Sequence, residues 1–404
     1  MHIFRRFLVA VFCAVSVAAC SAQAVPGNSI TVRVDAAHAT GPYRSTWNNF
    51  GADEPNYSYA PNGQHLLREL SQLSPAPVYV RLHNLLTTGD GTASLKWGST
   101  NVYREDAAGR PIYDWTITDR IFDYLLHNGV RPLVEVGFMP EALSTHPHPY
   151  RHTFPKGSVF TGWSYPPNDY DKWSALITAW TRHLHERYGD AAVNTWLWEV
   201  WNEPDIDYWH GTPQEYDKLY DVTAAAIRKT LPDAKIGGPE ATGIGPGRSE
   251  DFLRQFLEHC AHGRNAATGG IGAPLSFISF HPKGSPSFVD GHVRMDIGHQ
   301  LRAMDLGMRV VASYPEWKNT PIILGESDSE GCAVCTGPRN GYRNGPLYGV
   351  SVAEATARSV ELAQRNGVTL QAAVTWALEF EDQPIFSGFR SLATGGKVNG
   401  VSYL

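Results

Sequence analysis

Charge is scarce in this sequence. Asp, Glu, Lys and Arg supply 18% of its 404 residues, against about 25% in an ordinary soluble chain. Thirty-four Lys and Arg stand against 40 Asp and Glu, a net charge of −6, with no basic run in the body of the chain. This argues against a nucleic-acid partner, because phosphate binding needs a basic face. Past the N-terminus no stretch reaches 18 uninterrupted apolar residues, so no transmembrane span is expected. No HExxH and no Gly-rich phosphate loop after the first strand candidate is present, which removes the usual signals for a zinc hydrolase or a dinucleotide fold. Neither a metal nor a cofactor is expected. Gly and Pro, 38 and 27, are at average usage, and 42% of the chain is hydrophobic, which excludes collagen, low complexity and disorder. What the chain has in quantity is rings: 12 Trp, 18 Tyr and 16 Phe. Few charges and many rings suit a protein that stacks on neutral ring-shaped ligands, and equally one with a large core.

Cysteine is also sparse, with five in all. Two of them, Cys13 and Cys20, fall in an N-terminal leader: Arg5-Arg6, then an apolar run from Phe7 to Ala19. A short basic region before a short apolar one reads as a secretory signal. Val17-Ala18-Ala19-Cys20 resembles a lipobox that would make Cys20 a lipid anchor, whereas Ala22-Gln23-Ala24 resembles an ordinary cleavage site. The protein is thus expected in the periplasm or anchored to an outer membrane. Of the remaining cysteines, Cys332-Ala-Val-Cys335 reads as a small loop disulfide, with free thiols the alternative, since zinc would need two further ligands nearby.

At about 150 residues per domain, the length suggests two or three domains. The element pattern says otherwise. Eight short apolar runs read as strands: 46–50, 77–83, 132–138, 195–202, 235–239, 275–281, 321–326 and 370–380. Helical stripes lie between them. Leu66, Leu67, Leu70 and Leu73 share a face, as do Trp173, Ile177, Trp180 and Leu184, and Ala353, Ala357 and Val360. Thr212-Pro213-Gln214-Glu215 is a capping box with Pro at the first helical position. Eight strands alternating with helices predict an α/β chain folded as a (β/α)8 TIM barrel. A further strand at 30–34 precedes the barrel and needs a partner outside it.

Working residues of such a barrel gather at the carboxyl ends of its strands. Those ends carry Arg81, His83, Glu135, Phe138, Glu199, Asn202, Glu203, Glu240, His281, Lys283, Glu326, Trp376 and Glu379. Glu203, in Trp198-Glu-Val-Trp-Asn-Glu-Pro-Asp205, and Glu326, in Leu324-Gly-Glu-Ser, form the pair of carboxyls that cleavage of a glycosidic bond requires, one protonated and one ionised.

At these residues the sequence resembles a known family. Trp201-Asn202-Glu203-Pro204 resembles the fourth-strand motif of clan A retaining glycosidases. Tyr79–His83, Tyr113–Asp119, Val134–Pro140 and Thr375–Asp382 together resemble glycoside hydrolase family 39, which contains β-xylosidases and α-L-iduronidases. The resemblance runs from about Thr46 to Arg390. It implies that Glu203 is the general acid/base, Glu326 the nucleophile and Asn202 the holder of the sugar 2-hydroxyl. It places His83, Phe138, His281, Trp376 and Glu379 around the −1 sugar, Trp376 as a stacking platform. Lys283 departs from the Tyr of many xylosidases at this place and resembles the iduronidase branch, where a Lys holds a sugar carboxylate. Family members continue into a β-sandwich, whereas this sequence ends at Leu404.

The expected organisation is therefore a signal at 1–24 (or a lipoprotein signal at 1–19), a strand of an accessory β-sandwich at 25–44, the barrel at 45–383 and a truncated C-terminal segment at 384–404. The expected function is a retaining exo-glycosidase releasing terminal β-D-xylosyl residues from xylo-oligosaccharides. The alternatives are an α-L-iduronidase-like enzyme and a catalytically inactive sugar-binding barrel. Oligosaccharide is the expected partner.

Overall fold

The structure, a computed structural model, describes residues 45–376 apart from 333, 334 and 336, together with positions 31, 33, 35, 37, 38, 393, 394, 397 and 398. The leader with Cys20, most of the strand expected at 30–34 and the segment carrying Glu379 lie outside the described residues. The chain divides into two units, 1–44 and 45–404. In the first, Asp35 pairs with His38 Nδ1 at 2.7 Å. The second holds the barrel.

Eight parallel strands close on themselves: β1 (Asn49–Ala52), β2 (Val78–Leu82), β3 (Val130–Val136), β4 (Leu197–Val200), β5 (Lys235–Ala241), β6 (Phe277–Phe280), β7 (Ile322–Leu324) and β8 (Leu370–Trp376). Each strand pairs with its neighbour in sequence, and β1 closes on β8 with Gly51 opposite Trp376. Between them run α1 (Pro61–Leu73), α2 (Thr116–His127), α3 (Tyr170–Tyr188), α4 (Pro213–Arg228), α5 (Arg248–His262), α6 (Ile297–Ala312) and α7 (Pro346–Asn366). This is the (β/α)8 barrel expected. Among the described residues no helix is long and apolar enough to cross a membrane.

The strands are buried on both faces, which is why they read as unbroken apolar runs. Inside the barrel Leu133, Leu197, Phe277, Ile323, Val374 and Trp376 pack together, separate from the larger core between strands and helices. Gly51 is needed here, because a Cβ on it would overlap the ring of Trp376. The capping box at the start of α4 is complete, with Thr212 Oγ1 accepting from the Glu215 amide at 3.1 Å and Glu215 Oε2 accepting from the Thr212 amide at 2.7 Å. Gly129 and Gly367 end α2 and α7 at φ of 78° and 66°, where L side chains are strained.

Three local expectations change. The first strand lies at 49–52, not 46–50. Leu73, at the end of α1, is 60% exposed. On α7 the buried stripe is Ser351, Ala355 and Ser359, while Ala353 and Ala357 face solvent. Small residues let that helix sit close to its neighbours, and both serine hydroxyls donate back to their own helix, Ser351 to Tyr348 O and Ser359 to Thr356 O. Alternation of apolar residues could not single out such a face. The strand census also passes over two short hairpins in the loops, Tyr103–Glu105 with Pro111–Tyr113 and Ser287–Val289 with His292–Arg294.

Candidate active site

Residues two apart on a strand point the same way, so Arg81 at the end of β2 and His83 just beyond it look into the mouth of the barrel together. Beyond β4 the backbone leaves the strand abruptly: Trp201 and Glu203 have φ of 71° and 43°. Such conformations persist only where surrounding contacts hold them. Here Trp201 Nε1 donates to Tyr208 O at 2.9 Å and the Glu203 amide to Glu240 O at 3.0 Å. Asp205 accepts from the Thr242 amide at 2.8 Å. The loop carrying Glu203 is thereby tied to the end of β5.

Arg81 is the buried centre of the site. Its Nε lies 2.5 Å from Glu199 Oε2, its Nη2 3.0 Å from Glu135 Oε2 and 2.8 Å from Asn202 Oδ1, and its Nη1 3.2 Å from Glu326 Oε1. Its guanidinium centre stands 5.2 Å from the ring centroid of Trp376. Burial alone would lower its pKa, but Glu199, Glu240, Glu135 and Glu326 together hold it well above the usual arginine value. A buried cation of this kind stays charged because its partners satisfy it on every side.

Glu203 and Glu326 face each other across this mouth. One donor atom each of Glu203, His281 and Glu326 lie within 4.8 Å of one another. Glu203 Oε1 is 2.8 Å from His281 Nδ1. Glu326 Oε1 is 3.5 Å from His83 Nε2, and its Oε2 is 2.5 Å from Lys283 Nζ. Burial pushes the Glu326 carboxyl up, yet His281, Lys283, His83 and Arg81 outweigh it and hold the group well below the ordinary carboxylate range. Burial likewise pushes His281 down, while Glu326, Glu240 and Glu203 carry it up to about 9. Behind His281, Glu240 Oε2 stands 2.7 Å from Nε2. Gly325 leaves room for that carboxylate, which a Cβ there would overlap. Burial raises Glu240, but Arg81, His281 and a hydrogen bond from Glu199 bring it to about 2. Burial raises Glu199 well above its ordinary value, against the pull of Arg81.

The trio of Glu203, His281 and Glu326 has the donors to hold a metal ion. The ammonium of Lys283 already occupies a cation's place on Glu326, and Nδ1 of His281 is engaged with Glu203.

Other anticipated residues fall as follows. Asn202 is fully buried; its Oδ1 accepts from Arg81, and its Nδ2 has no partner among the described residues. Phe138 and Trp376 are each only 1% exposed. Phe138 packs against Trp163, Trp201 and Tyr208, and Trp376 lies over Gly51 with its ring 4.5 Å from that of His83. Trp376 thus packs against both Gly51 and the ring of His83. Lys283 reaches the mouth but spends its ammonium on Glu326 and, at 3.4 Å, Asp328. Cys332 and Cys335 form a disulfide with Cα atoms 5.6 Å apart. The buried Arg343 donates to the carbonyls of both at 3.0 Å.

Asp53 and Lys96 were not anticipated. Asp53 Oδ1 is 3.0 Å from His83 Nδ1 and 2.9 Å from Lys96 Nζ. With the first strand placed at 46–50, Asp53 falls inside a loop; with the strand at 49–52, it is the first residue past a strand end, the position that signals function. Lys96 sits on a loop, at φ 53°, and no sequence signal marks it.

A closed parallel barrel with acids gathered at its carboxyl mouth defines a (β/α)8-barrel protein of the carboxylate-site class. The family model described as "Glycosyl hydrolases family 39" matches residues 30–398, and the chain belongs to that family. A β-xylosidase of Geobacillus stearothermophilus is 38% identical over 208 residues, 50% of this chain and 36% of that protein. The α-L-iduronidase of Homo sapiens is 29% identical over 301 residues, 74% of this chain and 41% of that protein. The chain thus matches less than half the length of either relative. A crystal structure of a monomeric β-xylosidase from Caulobacter crescentus CB15 superposes with a TM-score of 0.68 at 24% identity, over 88% of this chain and 66% of that one; the likeness is one of fold.

Proposed function

We propose that the chain is a retaining exo-glycosidase that releases terminal β-D-xylosyl residues from xylo-oligosaccharides by double displacement. Glu326 is the nucleophile and Glu203 the general acid/base. The spacing of the pair carries this reading. One oxygen of each carboxyl lies within 4.8 Å of one of the other, a close approach that supports a retaining pair, whose carboxyl groups stand about 5–5.5 Å apart. The electrostatics agree. Glu326 is kept ionised, as a nucleophile must be. The buried Asn202 Nδ2 has no protein hydrogen-bond partner among the described residues, which supports a role for it in holding the 2-hydroxyl, a contact that strengthens in the transition state. Glu326 attacks the anomeric carbon while Glu203 protonates the departing oxygen. Glu203 then takes a proton from the water that displaces Glu326.

The choice of a xyloside draws on the β-xylosidases the chain is similar to. Lys283 supports a second reading, a uronide substrate, because its ammonium stands at the mouth beside Glu326 and could meet a sugar carboxylate. A panel of nitrophenyl glycosides, with the first-formed anomer followed by NMR, tests both. Rapid β-xyloside hydrolysis with retention supports the first reading, and preference for iduronide or glucuronide the second. Inversion would overturn the mechanism, and no hydrolysis of any glycoside would favour the inactive sugar-binding barrel.

Export belongs to the same proposal, to the periplasm or, through Cys20, to an outer-membrane anchor. The Arg5-Arg6 leader supports it, as does the Cys332–Cys335 disulfide, a bond that persists in oxidising compartments.

A further inference from the structure

Three carboxylates, each from a different strand or strand end, stand at set distances from His281. From the end of β4 comes Glu203, 2.8 Å from Nδ1; from the end of β7 comes Glu326, 3.7 Å from the same nitrogen; from β5 comes Glu240, 2.7 Å from Nε2. Lys283, two residues on, is bound to Glu326. Glu240 is itself backed by Arg81 at 3.9 Å and bonded by Glu199. The imidazole is wholly buried and cannot turn without leaving Glu240.

One ring nitrogen therefore lies nearest both carboxyls of the pair, and the other faces Glu240 as an ion pair at 2.7 Å. We infer that His281 is a fixed positive pivot for the two carboxyls, held in place by Glu240, and that Glu240 is a positioning residue for both chemical steps. The inference rests on the glycosidase reading above. Before reaction the negative charge is on Glu326 and Glu203 holds a proton. In the first step Glu326 bonds to the anomeric carbon, the glycosidic bond breaks and the proton of Glu203 goes to the leaving oxygen. Glu326 is then a neutral ester and Glu203 a carboxylate. In the second step water bonds to the anomeric carbon, the ester bond breaks and Glu203 takes the water's proton. One negative charge has moved from Glu326 to Glu203 and back, next to the same Nδ1–H. A positive ring placed beforehand, hydrogen-bonded to Glu203 and 3.7 Å from Glu326, stabilises both charge states without rearranging. The same geometry chooses the oxygen: with Oε1 of Glu203 engaged by His281, its transferable proton belongs on Oε2.

The test joins a direct reading of the ring to kinetics. In full-length protein labelled with 15N-histidine, NMR should show His281 carrying protons on both nitrogens at pH 8. In Glu240→Gln the ring should become neutral at that pH. On aryl xylosides kcat should fall about 100-fold, the scale of losing one preorganised donor, for good and poor leaving groups alike, since both steps use the pivot. KM should change little, because Glu240 is shut away from the cleft. The basic limb of the kcat/KM profile should move to lower pH. Glu240→Asp, which keeps the charge, should recover part of the rate, a rescue that a purely structural role does not predict. A neutral His281 at pH 8 in the native, active chain would overturn the pivot and leave the glycosidase reading standing. Equal loss in Glu240→Gln and Glu240→Asp with an unmoved pH profile would also overturn it. An inactive native chain would overturn the glycosidase reading itself, and the pivot with it.

Discussion

The Nζ of Lys283 lies 2.5 Å from Oε2 of Glu326, so the ionised state of Glu326 is set partly by a residue three places past the end of a different strand. Removing that ammonium in Lys283→Met raises the pKa of Glu326, because the positive charge that favoured the carboxylate is gone. The acidic limb of kcat/KM should then move to higher pH. An acidic limb that stays in place would show that the ammonium does not govern Glu326. On the uronide reading the same variant should also lose uronide cleavage selectively over xyloside cleavage.

Glu203→Ala should lower kcat/KM for substrates with poor leaving groups by roughly 10²–10⁴-fold, the usual contribution of general acid catalysis. Substrates with good leaving groups should suffer less in the first step. Azide, which needs no general base, should restore turnover and yield a glycosyl azide of retained configuration. Unchanged hydrolysis of poor leaving groups would remove Glu203 from its proposed role.

Arg81→Met should destabilise the fold by about 3–5 kcal/mol, the scale for removing one partner of a buried ion pair. Glu135 and Glu199 lose their direct partner, at 3.0 and 2.5 Å, and neither reaches water. Urea denaturation read by tryptophan fluorescence measures the loss. A shift under 1 kcal/mol would mean that these carboxyls take up protons and manage without the guanidinium.

His281 predicts a pH dependence of stability. Its folded-state pKa is raised from 6.5 to about 9, against burial, by Glu326, Glu240 and Glu203. A raised histidine contributes stability that is complete below its unfolded value and is lost as pH rises through the folded one. Urea midpoints should therefore decline between pH 7 and pH 10, and His281→Gln, though less stable at pH 7, should show a shallower decline. Parallel declines would place the titrating group elsewhere.

Much of this protein is written locally. Thr212 and Glu215 satisfy each other's amides three residues apart, so the start of α4 can be read without knowing anything else. The apolar runs of β3, β4 and β7 announce strands buried on both faces because no polar position interrupts them. Trp201 to Glu203 marks the site because a single fold class brings strand ends together. Other features depend on neighbours far away in the chain. Arg81 meets Glu199 across 118 residues and Glu326 across 245, and no pattern around Arg81 says which acid it will hold. Ser351, Ala355 and Ser359 are buried because a helix must come close, not because they are apolar. Trp376 is covered because Gly51 on the strand beside it has no side chain. Asp53 gained its place from a shift of the first strand toward the C-terminus. Local hydrogen bonds and hydrophobic period act over a few residues, and these the sequence alone determined. Which charges meet, and therefore which carboxyl is ionised, depends on separations of a few ångströms between distant segments, and only the closed barrel decided those.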